Sequence, residues 1–299
     1  GGSTAICGGQ FTMALTPMQK EQGINDSIEL FYNDMTTVGK GKADPELVRT
    51  LVDNSAAAFD FLKSLGVNFF KMNTYAGMSV PRAHQANPGE VINLLRKEAE
   101  RKGATVTLNT AAVRLYANPN GRVVGAVVRP GKGKEISVRA RKAVILATGG
   151  FGRGVDLLNE YGSLPLNLCI PMAAPGITGD GLKMAMDLGA ATKDITMGIG
   201  PDMGPSTPVD VETKMITMPI YQGAVMVNKN GKRFVSEAAS YNVISTVALS
   251  QPEALILQIA DSKVYADAQT RTNSNKGKPR KADSLEALRE TLKARMRAR

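Results

Sequence analysis

No run of about eighteen consecutive apolar residues occurs, which excludes a hydrophobic helix long enough to span a bilayer. Histidine occurs once, at His84, and cysteine twice, at Cys7 and Cys169. Two separated thiols, no CxxC pair and one imidazole exclude a structural zinc site and a disulfide framework. Reduced thiols in a cytoplasmic protein are the expectation. No CxxCH occurs either, so Met197, Met203, Met215, Met218 and Met226 read as adaptable packing rather than as part of a haem site. The chain opens GGSTAICGG, with neither Met nor a charged n-region, so no signal peptide is read. That opening suggests that the native N-terminus is missing, together with any targeting segment. What remains is ordinary globular composition, 43% hydrophobic and 21% charged over 299 residues, enough for two domains and wrong for a disordered protein.

The net charge of +10 is unevenly placed. Ten Lys/Arg fall between Arg271 and Arg299, against Asp283, Glu286 and Glu290, leaving only +3 for the rest of the chain. No aromatic residue is interleaved with that tail and no helix-turn-helix or RNA-binding signature precedes it, so nucleic-acid binding is not the expected function.

Residues 44–66 predict a helix, with Asp44 as cap, Pro45 at the first helical position and Gly66 at a left-handed exit. Its expected buried face is Leu47, Leu51, Ala58, Phe59 and Leu62. A second helix is predicted over 90–102, with Val91, Leu94, Leu95 and Ala99 along one side. Strands are predicted at 105–108, 113–116, 122–129 and 135–139, joined in part by the turns ANPNG and PGKGK. The run AVILAT at 143–148 is apolar on both alternating faces and reads as a fully buried strand. Further on come a helix at 181–188, a hairpin with a type I′ Asn230-Gly231 turn joining 223–228 to 232–235, a helix near 253–260 and another from Ser284. Weak periodicity over 195–220 places a domain boundary near Asp194. Helices alternating with strands, then giving way to a hairpin region, indicate α/β with an appended α+β domain.

Four glycine-rich segments are candidates for chemistry, because glycine lets backbone amides approach a ligand closely. They are Gly1-Gly2-Ser3-Thr4, Cys7-Gly8-Gly9, Ala147-Thr148-Gly149-Gly150-Phe151 and Thr178-Gly179-Asp180-Gly181. The third closes an expected strand, where open α/β sheets place ligands. The fourth opens an expected helix, where free amides favour an electron-rich group.

Together these segments resemble the soluble fumarate reductase/succinate dehydrogenase flavoprotein family, which includes urocanate reductases and 3-ketosteroid Δ1-dehydrogenases. GGSTAICGGQFTMALTPMQK is similar to the family's segment after the second strand of its flavin domain, and SVPRAHQANPGEV to its RAH loop. AVILATGGF, GITGDGLKMAMDLGA and GAVMVNKNGKRFVSEA follow in the same order. The resemblance implies FAD and redox chemistry on a carbon–carbon bond beside an electron-withdrawing group. It implies a Rossmann-like FAD-binding domain over 1–194 and an α+β substrate-capping domain over 195–299, both incomplete. By the same resemblance Gly2, Ser3, Thr4, Gly8 and Gly9 would meet FAD, with Gly9 also near the substrate. Ala112 and Val113 would offer backbone contacts to adenine. Thr148, Gly149, Gly150, Gly179 and Asp180 would complete the cofactor site.

Two family features are absent. The GxGxxG unit that would place the pyrophosphate on a helix N-terminus is missing, and the family's closing segment has no counterpart after Leu285. The expectation is an internal piece of a flavoenzyme with unpaired strand edges and exposed apolar surface. The alternative is a non-catalytic remnant that does not hold FAD by itself.

The family's fumarate reductases carry a histidine where this chain reads Gly200-Pro201-Asp202, and a Glu and an Arg where it reads ITMPIYQGA. Their arginine acid falls here at Tyr241, as in the ketosteroid dehydrogenases. Tyr241 is therefore either the proton-handling group or a packed residue with a wet hydroxyl. His84 either faces the pocket and titrates near neutrality or hydrogen-bonds its own loop, the latter favoured for want of a second titratable partner. Arg233 and Glu237 are candidates for substrate contact, with an ion pair fixing the hairpin the favoured reading. The substrate is expected to be a small molecule with an activated carbon–carbon bond; the sequence names neither it nor the electron partner.

Overall fold

The computed structural model describes residues 2–75, 77–162, 173–195, 223–239, 241–254, 256–271, 281–284 and 286–290. The chain divides into two compact units, Gly1–Val155 with Ala173–Lys193, and Asp156–Met172 with Asp194–Arg299. All described strand pairs are antiparallel.

The first unit opens with a 3-10 turn, Ser3–Ile6, and strand β1 (Gln10–Thr12), followed by helices α1 (Pro17–Glu21) and α2 (Ile28–Val38). Thr16 and Gln19 form a capping box on α1, and Ser27 caps α2 through Leu30 N. The predicted helix at 44–66 is two helices, α3 (Pro45–Asp53) and α4 (Ser55–Ser64). Asp44 does cap α3, accepting from the Glu46 and Leu47 amides, and Gly66 is left-handed at φ +92°. Phe59 and Leu62 are buried as expected, Ala58 is exposed, and on α3 the buried face differs from the expected one. Val48 and Val52 point inward, whereas Leu47 and Leu51 are exposed. Both pairs have i,i+4 spacing, so periodicity alone does not choose between them.

Strands β2 (Lys71–Asn73) and β3 (Ala83–Gln85) join β1 in the order β1-β3-β2. Helix α5 (Pro88–Arg101) follows, capped by Asn87 and ended near Gly103 at φ +90°. Phe59, Leu62, Phe69, Val67, Ala86 and Val91 form the core beneath this sheet, with Phe59 and Phe69 stacked 5.0 Å apart. A second cluster, Ala14, Phe31, Val48 and Val52, joins α2 to α3.

A meander of β4 (Thr110–Ala117), β5 (Val123–Pro130) and β6 (Ile136–Arg139) follows in sequential order. The expected strands at 105–108 and 143–148 are not formed. Residues 143–148 are not buried either: Ile145 is 87% exposed and Leu146 lies open, as do Val106 and Leu108. A strand requires a ladder partner, and among the described residues neither run has one.

Helix α6 (Val155–Tyr161) starts at the unit boundary, and α7 (Asp180–Met186) returns to the first unit, ending near Gly189 at φ +84°. In the second unit, β7 (Val225–Asn228) pairs with β8 (Ile256–Ile259), and α8 (Tyr241–Leu249) and α9 (Ser262–Arg271) complete the order. The predicted helix at 253–260 is thus a 3-10 turn, Pro252–Ala254, followed by a strand. The hairpin's return strand is reduced to the single bridge Val227↔Arg233. Its turn is not type I′: Gly231 N donates to Asn228 O, and Gly231, at φ +71°, alone of the three loop residues is left-handed. Met226, Ile244, Ala248 and Ile256 form this unit's own core. No helix among the described residues is long and apolar enough to cross a membrane.

Candidate functional site

Three of the glycine-rich segments meet in the first unit. Ser3 Oγ accepts from Ala174 N at 3.1 Å, and Arg153 Nε donates to Ala173 O at 2.6 Å. Arg153 N donates to Ile177 O at 2.9 Å. The Thr148–Gly154 turn therefore lies against residues 173–178, which in turn touch the first turn of the chain. Gly181 sits under Thr148, and Gly154 under Thr178 O, so closely that no Cβ fits at either position. Gly179 is left-handed at φ +82°, and Thr178 Oγ1 donates to Asp180 Oδ1 at 2.9 Å, fixing the entry to α7.

The glycines sort into two kinds. Gly9 and Gly149 have φ of +68° and +76°, and a Cβ at Gly9 would lie 2.2 Å from Ala86 O, so this backbone itself requires glycine there. Gly8 and Gly150 are different. Neither has positive φ, and an added Cβ at either would meet nothing within 4 Å among the described residues. Among the described residues nothing asks for glycine at these two positions; a flat group lying against the backbone would.

Ala112 and Val113 lie on β4, an edge strand of the meander with α7 packed beside it. The register passes from Ala112↔Val128 to Arg114↔Val127, leaving Val113 in a bulge outside the ladder. Gly2, at φ +85°, and Thr4 are exposed near the first turn.

His84 is fully buried. Nδ1 lies 2.6 Å from Arg82 O and Nε2 lies 2.8 Å from Thr16 Oγ1. The carbonyl requires an Nδ1–H donor, and in the neutral ring the Thr16 hydroxyl is then the donor to Nε2. Burial holds its pKa below the ordinary histidine value. With both nitrogens engaged inside the core, His84 braces its own loop and does not face a pocket.

Beside it lies an ionic network that the sequence did not announce. The buried Arg82 forks onto Asp26 through Nε and Nη2, both at 2.8 Å, and its Nη1 also donates to Asp34. Gln19 Nε2 donates to Asp26 at 2.7 Å, and Ser79 holds Asp34. Burial pushes the Asp34 carboxyl up, but donation from Ser79 and Arg82 outweighs it and holds the pKa low. The sequence also missed a trio of amides, Gln10, Asn73 and Gln85, on the face of β1-β3-β2 opposite His84. Strands of three residues carry too little alternation to announce it.

In the second unit Arg233 pairs with Glu237, whose carboxyl is held low chiefly by that guanidinium. Glu237 Oε1 also accepts from Met226 N at 2.8 Å, tying the hairpin exit to β7. Tyr241 opens α8, and its side chain lies outside the described residues, as do Cys169, Met197, Met203, Met215, Met218 and the stretches 200–202 and 216–222.

A mixed α/β chain whose glycine turns converge and leave their backbone open to a ligand defines a class, the nucleotide-cofactor proteins. Comparison with known proteins narrows it: the chain belongs to the family described as FAD binding domain, whose model matches residues 1–298. FAD is the cofactor this membership implies. The chain is 32% identical to a "Probable fumarate reductase" of Shewanella frigidimarina, over 90% of this chain and 46% of that protein. It is 26% identical to an acrylate reductase flavoprotein subunit of Shewanella woodyi, over 93% of this chain and 54% of that one. The open conformation of a flavocytochrome c3 fumarate reductase superposes with a TM-score of 0.76 at 29% identity, covering 98% of this chain and 52% of that structure. The chain thus spans about half the length of these relatives.

Proposed function

We propose that this chain is part of an FAD-dependent oxidoreductase acting on an activated carbon–carbon bond, with residues 1–194 as a partial, Rossmann-like flavin domain and 195–299 as a partial substrate cap. The observation that carries the reading is the pair Gly8 and Gly150, glycines that the fold does not need and a flat cofactor would. Ser3, Gly8, Gly9 and the turn Thr148–Gly150 would hold the ring system against backbone, with Gly2, Thr4, Gly179 and Asp180 at its margins. The bulged backbone at Ala112 and Val113 would take the adenine end. When bound, FAD supplies hydride exchange at its N5 atom, and the protein supplies binding and orientation. Tyr241 would move the proton at its phenolic oxygen, because no Arg stands at that position. Arg233 and Glu237 would set the hairpin exit from which α8 starts rather than touch substrate. The fumarate and acrylate reductases among the relatives point to a small conjugated acid or carbonyl compound as substrate.

The exposed runs around Val106, Leu108, Ile145 and Leu146 favour a second reading, in which the chain is a non-catalytic remnant. Anaerobic reoxidation of the FAD-loaded, reduced protein by crotonate decides between them. Reoxidation that slows at least about a hundredfold in Tyr241→Phe supports the enzyme, a loss in the range ascribed to positioned acid–base groups. A chain that takes up no FAD, or takes it up and shows no reoxidation, supports the remnant.

A further inference from the structure

The sheet β1-β3-β2 has two unlike faces. Phe11, His84 and Met72 stand in register on one face, with Phe11 and His84 packed against Phe69. On the other, Gln10, Gln85 and Lys71 form one cross-strand row, and Thr12, Ala83 and Asn73 form the next. Polar side chains on the less buried face of an antiparallel sheet ordinarily turn to water. Here the amides turn to one another: Asn73 Nδ2 donates to Gln10 Oε1 at 3.3 Å and to Gln85 Oε1 at 3.2 Å. Both glutamine oxygens are thereby drawn onto one amino group. Their Nε2 amino groups find no protein acceptor among the described residues, and Lys71 pairs there with no carboxylate. Gln10 and Gln85 are half-buried, Lys71 is exposed, and Gln10 directly follows Gly8-Gly9.

The row is therefore a set of pre-oriented donors with an ammonium at its rim. Such a set repels cations and suits a group that only accepts. A carboxylate offers two oxygens and roughly four acceptor sites, and donor bonds to a charged acceptor are the strong ones. Asn73 fixes the two glutamines in advance, so little side-chain freedom is lost on binding.

We propose that Gln10, Gln85 and Lys71, positioned by Asn73, form a subsite for the carboxylate of a ligand that reaches the Gly8–Gly9 turn. This assigns specificity within the reading given above and rests on it for the identity of the ligand as substrate. Gln10, Gln85 and Lys71 are binding residues; Asn73 is a positioning residue.

The test titrates crotonate and its neutral counterpart crotonamide into the full chain with isotope-labelled glutamine side-chain amides, with and without FAD. The Gln10 and Gln85 resonances are identified by their loss in Gln10→Leu and Gln85→Leu. Crotonate is expected to shift both, with an affinity at least about tenfold above that of crotonamide. The near-isosteric Gln85→Glu, with unchanged circular dichroism, is expected to weaken crotonate at least about tenfold, and Lys71→Met about threefold. Asn73→Ala is expected to weaken crotonate too, and Asn73→Gln to restore part of the loss. Silent amides, an equal response to crotonamide or a Gln85→Glu variant with wild-type affinity would each overturn the subsite. If crotonate shifts the amides of a chain that takes up no FAD, the subsite stands and the flavin reading fails. If the chain takes up FAD and the amides stay silent, only the subsite fails.

Discussion

Thr148 rests on the Cα of Gly181: a methyl group built there would lie 2.1 Å from Thr148 Oγ1 and 3.0 Å from its Cβ. This contact ties the Thr148–Gly150 turn to α7. Alanine normally stabilises a helical position by about 1 kcal/mol over glycine, so the sign of the substitution is diagnostic. Gly181→Ala is expected to destabilise by about 1–3 kcal/mol through overpacking. Thermal unfolding of Gly181→Ala, Thr148→Gly and the double variant checks it, with a coupling of about 1 kcal/mol or more expected between the two.

Arg82 is the only cation that meets Asp26 and Asp34 among the described ion pairs, and both Arg82 and Asp26 are 1% exposed in their side chains. Arg82→Met would leave two carboxylates without the cation that pairs them, at a cost of about 3–5 kcal/mol. Arg82→Lys is expected to recover less than half of that, because an ammonium cannot fork onto Asp26 while reaching Asp34. Chemical denaturation measures both.

His84 gives a pH signature. Its folded pKa lies below the ordinary value of 6.5, so the unfolded chain takes up the proton more readily. The stabilisation is therefore complete above pH 6.5 and is lost as the pH falls below it, by up to about 1.4 kcal/mol per unit. Unfolding midpoints measured between pH 7.5 and pH 5 are expected to fall in the wild type, and that fall is expected to flatten in His84→Gln.

The Arg233–Glu237 pair separates charge from hydrogen bonding. Arg233 is 60% exposed, so solvent screens the pair and Arg233→Ala is expected to change the unfolding midpoint little. Glu237→Ala leaves the Met226 amide without its acceptor and is expected to cost about 1–3 kcal/mol, the larger effect in the same unfolding assay.

Several helix ends were legible in the sequence because capping is local: Asp44, Gly66, Gly103 and Gly189 each act within a turn of their own position, whereas the Asn87 cap was not read. The meander at 110–139 was legible for the same reason, its turns lying between adjacent strands. What depended on distant partners was not. Residues 256–259 form a strand because Asn228 and its neighbours pair with them, and 143–148 stay open for want of a neighbour. Sheet β1-β3-β2 and helices α1 and α2 passed unread, the strands being too short to show alternation. Of the candidate site, the glycine segments were legible as motifs, but which glycines the fold itself requires appeared only with φ angles and neighbour distances. The Arg82 network joins residues 48 and 56 positions apart, and no spacing announces it.

The most direct measurement is FAD binding by the full chain carrying Gly8→Val or Gly150→Val. Both positions have ordinary φ and open space, so the fold is expected to accept valine with an unchanged unfolding midpoint. Bound flavin absorbance near one FAD per wild-type chain, lost in both variants, is the result the cradle requires. A colourless wild type, or variants that retain the flavin undiminished, would contradict it.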